Sequence, residues 1–479
     1  MNRIERIKPI YTAIAAPGAG KTEALLSKLP ALISAGKRLV LALPTLVLSD
    51  EIARRATSKG ITCCPIDHRS GEVVVSSLEN ALADKVGTFI ICTQESIRRV
   101  SPQLLHGWIL VLDELPKVVD YPDYALNPVE LKRVLQYTEE SEGKLQIPEE
   151  QESVLIEQVG THRSDSRGVD CSTLGKSAAH IFRLLLSKVE VFIDQPTPHG
   201  KRHVRAVEEF TDWWDIISSA SEVHVLAASI KSSEFETFAQ VHGFRFKNSE
   251  FTPEWRPSSN HVTIYPVVPR GQKFSWRMMT TLHGNSRLID IALANVLERA
   301  ESTPLLFSNK WAGFKTTPGA IYVDKDCRGL NSYTEATEAA VLFGGNPSPS
   351  DGKGLEYLEA KYGINFEESF VTNRLLEPTL QAVARTAIRC HHNTKNIKFY
   401  VQDYRVVDYL VSTYFPDATV DWSLASTMPI KRDSRKLDEK IEEEVKRLIS
   451  LGTSISQIHR ETGVSRPKIT KMKKMHKAA

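Results

Sequence analysis

Short apolar runs alternate with polar, helix-like stretches over the first 120 residues of the chain. Four of these runs are rich in β-branched and aliphatic residues, and they span 10–16, 38–44, 89–93 and 108–114. Strands that are apolar on both faces are typical of a parallel sheet covered by helices, and the alternation favours an α/β architecture. The N-terminal part of the chain is therefore predicted to form an α/β domain.

This α/β pattern is interrupted once and then repeated. Residues 121–212 are rich in Glu, Ser, Arg and Lys and show helical periodicity, which predicts a mostly helical insert. The strand-like run VHVLAASI at 223–230 returns to the first pattern, and a second strand–helix series follows. The predicted domains are 1–120 plus 213–255, the insert 121–212, a second α/β domain 256–428 and a small all-α tail 433–479.

Basic charge is concentrated at the C-terminal end. The formal net charge of the whole chain is +3, whereas seven Lys or Arg and one acid, Glu461, follow Gly452. Such a segment is typical of one that binds phosphates. Composition is ordinary for a globular protein, and no apolar run is long enough to span a membrane. We expect a cytoplasmic protein with no membrane partner; six scattered cysteines argue against a zinc site, an iron–sulfur cluster or a disulfide framework.

The sequence AAPGAGKT at 15–22 lies between a predicted strand and a predicted helix. Small residues such as Gly18, Ala19 and Gly20 let the backbone curl so that its N–H groups point at phosphate oxygens. Lys21 would reach the β- and γ-phosphates of ATP, and the Thr22 hydroxyl would ligate Mg²⁺. The alternative is a chance glycine-rich turn before a helix.

A second motif, WILVLDE at 108–114, is an apolar strand that ends in two acids. Ligands of parallel sheets bind at the carboxyl edge, where Asp113 and Glu114 would lie. Asp113 would help to hold Mg²⁺, and Glu114 would polarise the attacking water. The alternative is a solvated strand end, and the phosphate-binding loop predicted at 15–22 favours the functional interpretation.

With these motifs the chain resembles a superfamily 2 helicase of the DEAD/DEAH-like type. The resemblance covers roughly residues 10–395 apart from the insert. Its further motifs follow in the same order as in that family: PT at 44–45, T at 93, LAAS at 226–229, RGLN at 328–331 and QAVARTAIR at 381–389. It implies two RecA-like domains with ATP and Mg²⁺ between them. Thr45, Thr93 and Arg328 would contact the nucleic acid. An insert also falls at this place in the damage-repair helicases with an arch domain.

Each of these weaker motifs has a plain structural alternative. Thr45 and Thr93 suit helix N-caps, residues 227–229 suit close packing of small side chains, and Arg328-Gly329 suits a turn. Gln381, Arg385 and Arg389 recur every four residues, which predicts one helical face. A cationic stripe of this kind is what an arginine finger needs, and its alternative is a solvated basic face. Ala384 replaces the usual Gly and the last Arg comes one residue late, so Arg385 is the preferred finger.

The tail contains a Ser-x-x-x-Ile pattern at 454–458 followed by GVSR at 463–466. With this motif it resembles the helix-turn-helix of site-specific recombinases and small regulators. Its sequence predicts a helix over about 438–451, a second over 453–462, a turn at 463–465 and a third helix from about Arg466. Arg466, Lys468 and Lys471 on the third helix would contact the major groove and its phosphates. The alternative is a basic tail that binds acidic surfaces without specificity.

The combined motifs predict an ATP-dependent helicase or translocase on single-stranded DNA, recruited to a duplex site through its tail. A phage or plasmid replication setting, with other replication proteins as candidate partners, is the expected context. One rival is a terminase-like packaging ATPase and nuclease, in which Asp324 and Asp326 belong to a metal cluster. A second rival is an ATP-gated, origin-binding protein without a motor.

Overall fold

The computed structural model describes residues 8–67, 73–159, 175–196, 201–259, 261–324, 333–390, 392–430, 439–462, 464, 466, 469, 470, 472 and 473. Within it the chain forms two compact units. The first contains Met1–Arg256 and Asn346–Glu377, and the second contains Pro257–Gly345 and Pro378–Ala479. Each unit is described below by itself.

The N-terminal part of the first unit alternates strands and helices, as its hydrophobic pattern predicts. The strands are β1 (Ile10–Ile14), β2 (Arg38–Leu43), β3 (Cys64–Pro65), β4 (Phe89–Thr93) and β5 (Trp108–Asp113). The helices are α1 (Lys21–Ser34), α2 (Leu46–Ser58), α3 (Val74–Ala83) and α4 (Gln94–Arg98). Nearly every residue of β2, β4 and β5 is buried. Continuous aliphatic runs are needed here because helices cover both faces of the sheet.

The insert was predicted to be helical, and it contains a five-stranded antiparallel sheet as well. From β5 onward the strands are β6 (Val119–Asp120), β7 (Asp123–Leu126), β8 (Glu139–Ser141), β9 (Lys144–Gln146), β10 (Val191–Ile193), β11 (Arg202–Ala206) and β12 (Glu208–Glu209). The helices are α5 (Pro128–Leu135), α6 (Glu149–Val159), α7 (Lys176–Leu186) and α8 (Asp212–Ser219). The sheet order is β7-β11-β10-β9-β8. Its helices and strands share an apolar core around Leu155, Phe182 and Val204.

After the insert the chain returns to the parallel sheet with β13 (Glu222–Ala227), α9 (Glu234–Val241) and β14 (Phe246–Asn248). The complete sheet has seven strands in the order β14-β1-β13-β5-β2-β4-β3, and all its pairings are parallel. Strand β13 lies between β1 and β5, with Ala227 opposite Ile14 and Leu226 opposite Asp113. This register brings the loop after β1 and the acids after β5 to the two sides of one strand end.

The second unit contains a six-stranded parallel sheet in the order β19-β18-β20-β21-β15-β22. The strands are β15 (Val262–Pro266), β16 (Leu282–His283), β17 (Ser286–Arg287), β18 (Leu305–Ser308), β19 (Ile321–Tyr322), β20 (Glu338–Leu342), β21 (Ile397–Val401) and β22 (Thr419–Val420). The helices from Trp276 onward are α10 (Trp276–Met279), α11 (Leu288–Arg299), α12 (Pro349–Tyr362), α13 (Glu367–Val371), α14 (Glu377–Val383), α15 (Tyr404–Thr413) and α16 (Ser423–Ser426). Strands β16 and β17 form a separate hairpin.

Helices α12 and α13 belong to the first unit, although the sequence placed residues 256–428 in one second domain. Apolar side chains of this segment, such as Leu358 and Phe370, pack into the core of the first unit. The amide of Asn373 donates to Glu234 Oε2 over 2.8 Å, and the backbone N–H of Glu234 donates to Asn373 Oδ1 over 3.2 Å. These contacts join residues 139 positions apart, which local sequence patterns cannot indicate.

The tail contains α17 (Glu439–Ser450) and α18 (Ile455–Thr462). They share a small apolar core that includes Val445, Ile449, Ile458 and Ile469. Gly463, Ser465, Lys468 and Lys471 of the predicted turn and third helix lie outside the described residues. In the part of the chain that the structure describes, every helix is too short or too polar to cross a membrane.

Candidate active site

The loop after β1 has the backbone that its glycines predict. Gly18 and Gly20 adopt left-handed φ values of 83° and 86°, a conformation that residues with a Cβ rarely adopt. Gly20 is the N-cap of α1, so the loop delivers the chain directly to the N-terminus of that helix. The N–H of Ala15 donates to Ala227 O over 3.2 Å, which fixes the start of the loop to β13. Curled loops at a helix N-terminus are typical phosphate-binding sites.

Lys21 is the first residue of α1, and its side chain folds back over this loop. Its Nζ donates to Ala15 O over 2.7 Å and to Ala16 O over 3.1 Å. The ammonium group is therefore held at the loop that the sequence identified as a phosphate cradle. A lysine held in this position can bind phosphate oxygens by exchanging its carbonyl contacts for stronger, charge-assisted ones.

Asp113 ends β5, and Glu114 follows it at the same sheet edge. Burial raises the pKa of Asp113 above its usual range, the adjacent Glu114 raises it further, and Lys21 lowers it. The loop and the acidic pair lie beside the same end of β13, because Ala15 donates to Ala227 O and Glu114 donates to Leu226 O. A carboxylate with a raised pKa is stabilised by a bound cation, as expected of a metal ligand.

The backbone at Glu114 is unusual. Its φ of 71° lies in the left-handed region, which is costly for a residue with a side chain. Its N–H donates to Leu226 O over 2.8 Å. The side-chain amide of Gln94 donates to the carbonyl oxygens of Asp113 and Glu114 over 2.9 and 3.1 Å. The peptide groups around the acids are thus held from both sides.

Gln94 is a site residue that the sequence reasoning missed. Its side chain bonds backbone atoms 19 and 20 residues downstream, and no spacing pattern indicates such a contact. The signal available in the sequence was its position, since it follows Thr93 at the carboxyl end of the buried strand β4. Residues at that edge are the ones that face a ligand in a parallel sheet.

The end of β13 joins the two motifs. Leu226 O accepts from Glu114, and Ala227 O accepts from Ala15. Ala227, Ala228 and Ser229 are all buried, which agrees with the close packing given as an alternative for this motif. The small side chains of residues 227–229 leave room for the loop after β1 and for the acidic pair at the same strand end.

The two threonines predicted to contact nucleic acid differ in their surroundings. Thr93 caps α4, because its Oγ1 accepts from the Ser96 N–H over 3.1 Å. Thr45 precedes α2 without a side-chain cap, and its hydroxyl is buried with no hydrogen-bond partner among the described residues. The capping alternative therefore describes Thr93 and does not describe Thr45.

The predicted helical face of Gln381, Arg385 and Arg389 is not formed. Helix α14 ends at Val383, Arg385 lies in the following turn, and Arg389 lies in a short 3₁₀ helix. The helix ends because the Thr386 hydroxyl donates to Val383 O over 2.7 Å and the Ala387 N–H reaches Ala336 O over 2.8 Å. Arg385 is buried in the second unit rather than displayed on a basic surface.

Other predicted site residues lie partly or wholly outside the described part of the chain. Arg328, Asp326, Lys468 and Lys471 are outside it, whereas Arg466 is described and exposed. Among the described residues, no group of three or more His, Cys, Asp and Glu side chains is arranged to hold a metal ion. The Thr22 hydroxyl and the Asp113 carboxylate are nevertheless oxygen ligands of the kind that Mg²⁺ prefers, particularly together with phosphate oxygens.

No protein-family model matches the sequence, and no curated protein matches it either. Among solved structures, Xpd4 of S. tokodaii is similar with a TM-score of 0.52 and 14% sequence identity. The match covers 86% of this chain and 96% of that one. A structure described as an XPD helicase has a TM-score of 0.51 and 13% identity over the same shares. These identities show the fold alone, which is one of two RecA-like α/β domains that this chain shares with those two structures.

Proposed function

We propose that the chain is an ATP-driven motor that moves on single-stranded DNA as a helicase or translocase. The observation that carries this proposal is that two motifs meet at one strand end of a parallel sheet. Ala227 O accepts from Ala15 at the start of the loop that leads to Lys21, and Leu226 O accepts from Glu114. A phosphate-binding lysine beside paired acids is the arrangement required for nucleotide hydrolysis. The shared fold adds support, because it supplies two such α/β domains in one chain.

The chain's own residues divide the chemistry of hydrolysis among them. Lys21 and the loop with Gly18, Ala19 and Gly20 bind the β- and γ-phosphates of ATP. Thr22 and Asp113 would hold Mg²⁺, which when bound neutralises charge that develops on the phosphate oxygens. Glu114 orients the attacking water and takes up its proton. The hydrogen bonds from Gln94 and to Leu226 keep the Asp113–Glu114 backbone in place.

One further cationic residue is part of the proposal. Arg385 is proposed to stabilise the transferred phosphoryl group, with Gln381 and Arg389 as further candidates. Guanidinium groups suit this task because the transition state spreads negative charge over three oxygens. Arg385 is preferred to Arg389 because the last Arg of the motif comes one residue later than in the helicases that this segment resembles.

The proposed partner is DNA. Thr45, Thr93 and Arg328 would contact the single-stranded track. The basic tail, with Arg466, Lys468 and Lys471, would bind a duplex site and favours DNA over RNA. Replication of a phage or plasmid, together with other replication proteins, remains the proposed setting.

Directional movement tests this proposal. Streptavidin is bound to a biotin at one or the other end of an oligonucleotide. A motor that translocates in one direction displaces streptavidin from the end that it reaches, and this displacement requires ATP. We expect displacement from one end of DNA by the wild type, none by Lys21→Ala, and less on RNA. Displacement that is absent from both ends would contradict a translocase, and displacement by Lys21→Ala would assign the activity to another site.

A further inference from the structure

Residues 267–287 of the second unit carry several exposed basic and apolar side chains on a buried base. The segment contains Arg270, Lys273, Arg277 and Arg287 and no acid. Two of its apolar side chains are largely exposed, Trp276 at 62% and Leu282 at 66%. Trp276 is the most exposed of the seven tryptophans, all of which lie in the described ranges.

The backbone that carries Trp276 is firmly anchored. Phe274 and Met279, on either side of it, are fully buried. The N–H of Phe274 donates to Asp403 Oδ2 over 2.7 Å, and Asp403 pairs with Arg405 over 2.7 Å. An exposed tryptophan on a short, anchored helix keeps its ring available at little entropic cost, whereas a mobile loop would have to be ordered on binding.

The far end of the segment is anchored as well. The N–H of Leu288 donates to Thr281 O over 3.0 Å and closes the hairpin of β16 and β17. Arg287 pairs with Asp290 over 2.7 Å and donates to Ala312 O over 2.8 Å. The guanidinium group of Arg287 is therefore occupied by contacts within the protein. The exposed cations of the segment are Arg270, Lys273 and Arg277.

Two of these cations remain available for a partner. In the part of the chain that the structure describes, neither Lys273 nor Arg277 forms a salt bridge, and both are exposed. Exposed cations attract a polyanion, and an exposed aromatic ring stacks on unpaired bases. In a duplex the faces of the bases are covered by the neighbouring base pairs, and an acidic protein surface has no unpaired bases. Single-stranded nucleic acid combines phosphates with accessible base faces.

We propose that residues 267–287 form a base-stacking surface for single-stranded DNA, in which a base lies on Trp276 while Lys273 and Arg277 contact the flanking phosphates. This inference rests on the proposed function and names a contact of the same DNA track. The surface is distinct from Thr45 and Thr93, which belong to the first unit.

Fluorescence anisotropy of a labelled oligothymidylate with the full-length chain tests the surface. Trp276→Ala is expected to weaken binding about tenfold, because stacking on an aromatic ring contributes substantially for each base. Trp276→Phe keeps a ring and should bind nearly as well as the wild type. Ile321→Ala is the matched control, since Ile321 is an exposed apolar residue of the same unit at 42% exposure.

An oligonucleotide of the same length without bases separates stacking from phosphate contact. Wild type and Trp276→Ala should bind this abasic strand equally. Arg277→Gln should lower the slope of log affinity against log salt by roughly 0.7, the value for one phosphate contact on a single strand. Equal binding of oligothymidylate by wild type and Trp276→Ala, or an equal loss on the abasic strand, would overturn the stacking surface.

The same preparations distinguish this inference from the proposed function. If oligothymidylate stimulates ATP hydrolysis by the wild type and Trp276→Ala binds normally, only the stacking surface fails. If the wild type neither binds oligothymidylate nor responds to it, the motor and the surface both fail. Weakened binding by Trp276→Ala with an unchanged melting temperature supports the surface and excludes misfolding.

Discussion

The side chain of Gln94 holds the backbone of Glu114: its amide nitrogen lies 3.1 Å from the Glu114 carbonyl oxygen and 2.9 Å from that of Asp113. Glu114 needs such support because its φ of 71° costs of the order of 1 kcal/mol or more for a residue with a side chain. Gln94 directly follows Thr93, which was predicted to contact the nucleic acid. The structure thus connects the end of β4, where a contact with nucleic acid is proposed, to the acids of the proposed ATP site.

Replacement of Gln94 by Leu tests this connection. The variant leaves two carbonyl groups without their donor, so Glu114 should lose its fixed orientation. We expect kcat for ATP hydrolysis to fall roughly tenfold, while KM for ATP changes little because Lys21 and the loop are intact. Steady-state kinetics with Gln103→Leu, an exposed glutamine, as control would measure this. An unchanged kcat would show that the contact is only structural.

Asp113 is expected to reduce stability in the absence of nucleotide and metal. Burial raises its pKa and Glu114 raises it further, so the charged form is disfavoured in the folded chain at neutral pH. Asp113→Asn removes that charge and should raise the Tm of the nucleotide-free protein by about 2–4 °C while abolishing hydrolysis. Differential scanning fluorimetry at pH 7.5 measures the shift. A lower Tm would mean that the carboxylate stabilises the fold.

Glu234 should make stability depend on pH. Burial raises its pKa to about 7 from an ordinary value of 4.5. The folded state then binds more protons than the unfolded state between these values. Its contribution is fully present below pH 4.5 and is lost as pH rises through 7.

Glu234→Gln is neutral at every pH and should lose this dependence. We expect its Tm to match that of the wild type near pH 4.5 and to exceed it at pH 8, by an amount corresponding to roughly 1–3 kcal/mol. Glu356→Gln, at an exposed position of α12, is the control. Parallel pH profiles for wild type and Glu234→Gln would contradict the raised pKa.

The small core of the tail offers a test of duplex binding. Ile458 is fully buried there, and Ile458→Asp places an uncompensated charge among apolar side chains. We expect duplex affinity to fall about tenfold or more, as contacts to several phosphates are lost together, with hydrolysis stimulated by single strands unchanged. Leu451→Asp, at an exposed position, is the control. Equal duplex affinity for both variants would assign duplex binding elsewhere in the chain.

The sequence predicted the first parallel sheet, its glycine-rich turn and its acidic strand end because these features depend on local patterns. Aliphatic runs marked β2, β4 and β5, and Gly20 marked the left-handed turn before α1. Asp113 and Glu114 followed from the end of one such run. These features need only neighbouring residues, so a single sequence is sufficient to recognise them.

Features that depend on distant contacts were missed. The insert sheet has strands as short and polar as Glu139–Ser141, which carry no alternation signal. Helix α14 ends early because Ala387 bonds Ala336, 51 residues away in the chain. The segment from Asn346 to Glu377 packs on the first unit through contacts such as that of Asn373 with Glu234. The spacing of residue types along the chain does not indicate which distant residues contact each other.

The measurement that tests the central claim most directly is the rate of ATP hydrolysis with and without single-stranded DNA, single-stranded RNA and duplex DNA. Wild type and Glu114→Gln should be compared, since the variant keeps the shape of the side chain and loses its ability to accept a proton. We predict that single-stranded DNA strongly stimulates the wild type and that Glu114→Gln loses hydrolysis while it still binds ATP. A wild-type rate that is the same with all three nucleic acids would contradict the motor.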